Sequence, residues 1–382
     1  MRSSPLISAE LAASQAWCHA VCRASRSSFF SSFRLLDRPR RLAMYALYAF
    51  ARITDDLGDG ALGAGESGDD RQVRGNGFVD DLAVESKQSA GEVQPLRELQ
   101  LVAWENQLAQ ALELDLPPRT MRVSPFEGSA HEGSSDEGSA HAAALAQADP
   151  RSAANSAIAG YAPLWPALVH AVDQFAIPPQ LLLDIVEGVR MDLRPQPPAN
   201  WDELRNYCYH VASAVGLACV HIWRSDPGGA NDLPMQSAID CGIAFQLTNI
   251  LRDIAEDARV GRSYIPLTEM ERFDVDPGRW LAGEPTGNWP ALIEHMAAEA
   301  EQLYLSGWPT IEALTPRSQR MFSLMWRSYR QLLREVVAQK TNLWSEGRVR
   351  LSTSTKLNLL TSHLVPQLFR RLPTPEPLAD GS

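Results

Sequence analysis

Four aspartates carry the first chemical signal. Asp55 and Asp59 form one pair and Asp253 and Asp257 a second, each spaced by about one helical turn. At about 100° per residue, Tyr48, Arg52, Asp55 and Asp59 fall on one narrow stripe, with Asp56 displaced to one side. The neighbours Ala49, Phe50 and Ile53 are apolar, so this is not a solvated helix with a charged face. Two carboxylates about 6 Å apart at Cβ suit Mg²⁺, which takes a few carboxylates together with phosphate oxygens and water; Mn²⁺ is the natural substitute. Without a cation the pair repels itself, near a helix end whose dipole also disfavours negative charge. The plain alternative is a helix C-terminus running out into an acidic, glycine-rich loop.

The second pair lies in Phe245 to Pro266. Gln246, Asn249, Asp253 and Asp257 share a stripe, while Phe245, Leu247, Ile250, Leu251 and Ile254 occupy the other faces. Amides and acids in an otherwise buried helix need partners. Arg252 and Arg259, with Arg262 and Tyr264 just beyond, place cationic and hydroxyl donors around the carboxylates. That mixture suits a diphosphate held by metal on one side and by arginine on the other. A calcium loop of the EF-hand kind is excluded, because these aspartates lie on a helix and not in a glycine-centred loop.

The elements that must position these groups are helices. Apolar residues recur at three- and four-residue spacing through Arg41 to Ile53, Leu96 to Leu112, Leu181 to Met191, Leu204 to Ile222, Ala238 to Ile254 and Gln319 to Val337, and no period-two strands stand out. Prolines at Pro178-Pro179, Pro195 to Pro198 and Pro234 bound them. The pattern predicts an all-α chain, a single domain over 1–382 with two disordered insertions at 60–95 and 123–157. Both insertions are too poor in apolar residues to offset chain entropy. His131 and His141 belong to the near-repeat EGSAH, EGSSD, EGSAH of the second insertion, and composition alone does not make them metal ligands. Gly58-Asp-Gly60-Ala-Leu-Gly63 matches GxGxxG, but it follows a helix instead of joining a strand to one, so it is rejected as a nicotinamide site.

Composition sets outer bounds. The 382 residues are 45% hydrophobic, enough for a large core, and the net charge of −11 argues against a general nucleic-acid binder. Five cysteines, an odd number with no CxxC, predict buried reduced thiols and a cytoplasmic protein. Glu10 interrupts the N-terminus before a signal-length apolar stretch forms, and no run reaches the roughly 18 apolar residues of a spanning helix.

Taken together, these motifs resemble the squalene/phytoene synthases of bacterial type, the head-to-head branch of the trans-isoprenyl diphosphate synthases. The resemblance rests on Arg26-Ser-Ser28-Phe29-Phe30, on Tyr48 to Asp59, and on Glu187-Gly188-Val-Arg-Met-Asp192-Leu. It continues through Tyr207-Cys208-Tyr209-His-Val211-Ala212-Ser213-Ala-Val-Gly216 and Phe245 to Pro266. It implies the isoprenoid-synthase fold with a central cavity, and Mg²⁺ held by Asp55, Asp59, Asp253 and Asp257 with Asn249 beside them. Tyr48, Arg52, Gln246, Asn249 and Arg252 would then support the diphosphates. Tyr329 and Arg348 are the C-terminal contributors, and Ser28 lies near the first diphosphate. The implied reaction joins two farnesyl or geranylgeranyl diphosphates through a cyclopropylcarbinyl diphosphate. Its product is phytoene, presqualene diphosphate or a squalene-type lipid of isoprenoid and carotenoid biosynthesis. Ala212-Ser213-Ala214 stands where many relatives carry Ala-Gly-Thr, which leaves substrate length open; with Gly216 these small residues wall a prenyl tunnel or pack helices closely.

Two other readings compete. A terpene cyclase or head-to-tail elongase also uses acidic helices and Mg²⁺, but the Gln246-to-Asp257 and Tyr207-to-Gly216 segments argue against it. A non-catalytic assembly factor on the same fold has no reason to bury repelling acids. The expected partners are prenyl diphosphates, with downstream lipid-processing enzymes and peripheral contact with the inner face of a membrane left open, and no nucleic acid. With no nicotinamide motif, a reaction ending in proton loss or at the cyclopropyl diphosphate is favoured; NADPH use stays open, since relatives bind it without a Rossmann fingerprint.

Overall fold

The computed structural model describes residues 5–25, 30, 32–59, 94–116, 150–225, 234–345, 348–352 and 354–355. Among them every regular element is helical, and an isolated bridge between Arg224 and Leu314 is the nearest approach to a strand. None of their helices is long and apolar enough to cross a membrane. In chain order the longer helices are α1 (Pro5–Ala24), α2 (Arg38–Asp59), α3 (Gln94–Ala111), α4 (Pro150–Ile158), α5 (Trp165–Phe175), α6 (Pro179–Asp192), α7 (Trp201–Cys208), α8 (Ala214–Trp223), α9 (Met235–Arg259), α10 (Trp289–Gly307) and α11 (Pro316–Ala338).

Local chemistry sets the boundaries. Asp37 caps α2, its Oδ1 accepting from the Arg40 backbone N–H at 3.2 Å, and the negative pair Asp55/Asp59 occupies the opposite end. Prolines open α6 and α11, where a missing N–H costs nothing, and the Thr315 side chain caps α11. Helix α2 is the hub of one half of the molecule, packing against α1, α3, α5, α6 and α8. Helix α9 is the hub of the other, lying along α10 and α11, and α8 packs on both hubs. Thus the two acidic helices are set in one core.

All six expected helical stretches are present. Helices α1 and α10 add to them; their buried faces rest on Ser14, Cys18 and Cys22, and on Met296, Ala297 and Ala300, among others, a weaker periodic signal than long aliphatic side chains give. The stretch from Leu204 to Ile222 is interrupted by a π-helical segment, Tyr209–Ser213. Its backbone is crowded from two sides. A Cβ on Gly188 would come 2.9 Å from the His210 carbonyl, and one on Gly242 would come 2.5 Å from the Ser213 Cα.

The expected insertions need correction at their edges. Residues 94–95 begin α3, and 150–157 form α4, which packs on α3 with Ala154 and Ile158 buried. The Ala/Ser tract there has enough alanine for a helix, and Ile158 gives it an anchor. The remainder of the two insertions, 60–93 and 123–149, lies outside the described residues, as do His131 and His141. All five cysteines are free and buried, and burial pushes the Cys18 thiol up to about 12.

Candidate active site

The first stripe forms as its spacing requires, on the last turns of α2. Gly58 sits against α6 so closely that an added Cβ would lie 2.4 Å from the Val189 Cγ1, which places this glycine in helix packing and not in a nucleotide loop. Asp55 is buried, and its Oδ2 has no hydrogen-bond partner. Burial drives its pKa far above the usual carboxylate range; Arg52 pulls it down, while Asp59, Asp56 and Asp192 push it further up. Burial and Asp56 likewise raise Asp59 to about 8. Arg52 donates to Asp56 at 2.8 Å, so the displaced aspartate is its direct partner and Asp55 is felt only at longer range. The Tyr48 hydroxyl donates to Ser25 at 2.9 Å, tying the stripe to the end of α1. Ser28 lies outside the described residues.

The second stripe lies on α9. Asn249 donates to Gln246 at 3.4 Å, and the Asn249 Oδ1 is buried without a partner. Asp257 is pushed well above the carboxylate range, first by burial and then by Asp253, against the pull of Arg262 and Arg252. Asp253 is in a different situation. Arg252 forks onto it, and Arg348, arriving from outside any helix, adds a second fork. Tyr329 packs its ring against Phe245 at 4.8 Å, behind the stripe. Arg259 is exposed and forms no ion pair among the described residues, so it does not join the donors expected around the carboxylates.

Asp192, the last residue of α6, links the two stripes. Its charge raises the pKa of Asp55 and Asp59 on one side and of Asp257 on the other. Its Oδ1 accepts from the Tyr207 hydroxyl at 2.9 Å and the Tyr264 hydroxyl at 3.1 Å. Asp192 and Tyr207 escaped assignment in the sequence, although the signal was present: Asp192 is an acid at a helix C-terminus, the position where the helix dipole had already marked Asp55 and Asp59. A cavity of about 520 Å³ opens beside this group, lined among others by Arg190, Asp192, Arg194, Asn206, Tyr207 and Tyr264.

These donors fit magnesium. No three His, Cys, Asp or Glu side chains among the described residues converge closely enough to hold an ion alone. Mg²⁺ prefers a few carboxylates completed by oxygens of a bound anion and water, a coordination that these donors could serve. The orphaned Asp55 Oδ2 and Asn249 Oδ1, with the costly burial of Asp55, Asp59 and Asp257, mark where positive charge is missing. Arg52, Arg252, Arg262 and Arg348 supply guanidinium forks for an oxyanion on the same floor. Of the small residues, Ser213 serves packing, with its Oγ donating to the Ile239 carbonyl at 2.8 Å, whereas a Cβ on Gly216 would meet nothing within 4 Å.

The chain is similar to known proteins in sequence and in fold. Residues 22–355 match the sequence profile of the squalene/phytoene synthases. The chain is 28% identical to phytoene synthase 3, chloroplastic, of Zea mays over 326 residues, which is 84% of this chain and 58% of that protein. It is 33% identical to the 15-cis-phytoene synthase of Pantoea ananas over 184 residues, 48% of this chain and 58% of that protein. Such alignments span about half the length of the curated relatives. A dehydrosqualene synthase crystal structure superposes with a TM-score of 0.62 at 24% identity, covering 93% of this chain and 96% of that one. A squalene synthase from Alicyclobacillus acidocaldarius gives 0.59 at 21%, covering 90% and 97%. At those identities the two structures speak for the fold, and the sequence profile speaks for the family. The chain belongs to the squalene/phytoene synthase family.

Proposed function

We propose that this chain is a magnesium-dependent prenyltransferase that condenses two allylic prenyl diphosphates head to head. The observation that carries the reading is the approach of Asp55 and Asp59 on one helix and Asp257 on the other to Asp192, which gathers buried acids next to arginine forks. The ionised form of such a floor is favoured when cations and a polyanion fill it together. Mg²⁺, when bound, neutralises the leaving diphosphate and so favours ionisation of the allylic C–O bond.

The chain's own groups do the remaining work. Asp55, Asp59, Asn249, Asp253 and Asp257 would hold the metal, and Arg52, Arg252 and Arg348 would grip diphosphate oxygens. Gln246 supports Asn249. The apolar faces of α2, α8 and α9 exclude water from the allylic cation, which is then attacked by the double bond of the second substrate. Loss of a proton closes the cyclopropylcarbinyl diphosphate. A second ionisation and rearrangement ends either in proton loss, giving a phytoene-type lipid without NADPH, or in hydride transfer from NADPH, giving a squalene-type lipid. Relatives named phytoene synthase favour the C20 substrate.

The test is incubation of purified protein with Mg²⁺ and the C15 or C20 diphosphate, with and without NADPH, followed by mass spectrometry of the lipid. A C40 hydrocarbon from the C20 substrate without NADPH is expected. No C30 or C40 product under any condition overturns the reading.

A further inference from the structure

Among the proposed metal donors, Asp253 alone is already occupied. Its Oδ1 is met by Arg252 Nε at 2.7 Å and by Arg348 Nε at 2.8 Å. Its Oδ2 is met by the Nη2 of Arg252 and, at 3.1 Å, by the Nη2 of Arg348. A carboxylate offers about four lone-pair directions, and two guanidinium forks take all of them. By contrast, Asp55 Oδ2 and Asn249 Oδ1 are buried with no partner. The site is open at Asp55 and Asn249 and closed at Asp253.

The two arginines differ in how they are held. Arg252 is the neighbouring residue on α9 and is buried. Arg348 comes from 95 positions further along the chain, in a stretch without helical hydrogen bonds, anchored next door by buried Val349. Arg348 can therefore leave without breaking a helix. A diphosphate gives it a reason to leave, because a guanidinium fork fits phosphate oxygens as well as it fits a carboxylate and gains from their higher charge.

Building on the proposed function, we infer that Arg348 is an internal stand-in for the metal: it caps Asp253 until a diphosphate arrives, then transfers its fork to the diphosphate and releases Asp253 to Mg²⁺. Arg348 and the cation compete for the same lone pairs, so metal loading at the second pair waits for substrate. By linkage, diphosphate raises the affinity for metal and metal raises the affinity for diphosphate by the same factor.

The experiment measures Mn²⁺ binding to the full chain by the electron paramagnetic resonance of free Mn²⁺, alone and with inorganic diphosphate. The proteins are the wild type, Arg348→Gln and Arg348→Lys; the lysine variant keeps the charge but cannot bridge both oxygens. Circular dichroism checks that each is folded. Wild type should bind Mn²⁺ weakly alone and about ten- to a hundredfold more tightly with diphosphate. Arg348→Gln should bind Mn²⁺ alone about tenfold more tightly than wild type, with most of the diphosphate enhancement gone. Arg348→Lys should shift the same way by less, and it carries the test if the glutamine variant does not fold. Equal Mn²⁺ affinity of wild type and the folded variants without diphosphate overturns the stand-in role and leaves the metal site standing. Absence of Mn²⁺ binding to wild type even with diphosphate overturns both.

Discussion

Tyr207 and Tyr264 stack with ring centroids 4.9 Å apart and 19° between their planes, and both hydroxyls donate to the same oxygen of Asp192. The stack fixes a carboxylate between the two acidic stripes and holds it against their repulsion. Arg262, hydrogen-bonded to Tyr264 and close in charge to Asp192 and Asp257, joins this group to the end of α9.

Removing one hydroxyl should loosen Asp192 without emptying the site. Tyr207→Phe is expected to lower kcat by roughly ten- to a hundredfold, the worth of one hydrogen bond to a charged group, with a smaller effect on KM. Steady-state kinetics of the purified variant, with circular dichroism as the fold check, reads this directly. Unchanged kcat would remove Asp192 and its tyrosines from the catalytic account.

The two acidic pairs should respond differently to truncation. The spacing of the aspartates alone suggests that each is a repelled acid whose removal leaves the fold untouched. The same outcome is expected for Asp55, which has an unpartnered oxygen. For Asp253 the outcome is expected to differ, because its loss removes the carboxylate onto which buried Arg252 and Arg348 both fork. Asp253→Ala should therefore cost about 3 kcal/mol of metal-free stability, and Asp55→Ala should cost little or raise it. Chemical denaturation in the presence of EDTA distinguishes them; equal losses contradict the clamp.

Asp59 makes the metal-free protein sensitive to pH. Its pKa rises from the ordinary 3.8 to about 8 on folding, so across that window the folded chain keeps a proton that the unfolded chain releases. This contribution to stability is greatest below about pH 4, falls as pH rises, and levels off above about 8. Melting temperatures measured in EDTA at pH 5.5 and 8 should fall more for wild type than for Asp59→Asn. Parallel slopes would mean that Asp59 is not strained by its burial.

Much of this was legible in the sequence because helices repeat. Tyr48, Arg52, Asp55 and Asp59, like Gln246, Asn249, Asp253 and Asp257, announce a shared face through spacing alone. Asp192 and Arg348 have no such period: Asp192 ends a helix of another face and only the packed chain brings it to the stripes, whereas Arg348, outside any helix, is reached through the family resemblance and not through spacing. Periodicity also cannot assign ion-pair partners, which is why Arg52 turned out to hold Asp56 and why Arg259 stands in solvent. The edge of the second insertion was misplaced because alanine and serine read as low complexity until Ile158 finds a core to anchor them.

The central claim is that the two acidic pairs form one magnesium site for a diphosphate leaving group. It is tested most directly by the inorganic diphosphate released from the C20 allylic substrate as Mg²⁺ is added, for wild type, Asp55→Asn and Asp257→Asn. The account predicts release by wild type that requires Mg²⁺, and a loss of about 10³-fold in both variants, one from each helix. Release that persists in EDTA, or that survives the loss of either aspartate, would contradict it.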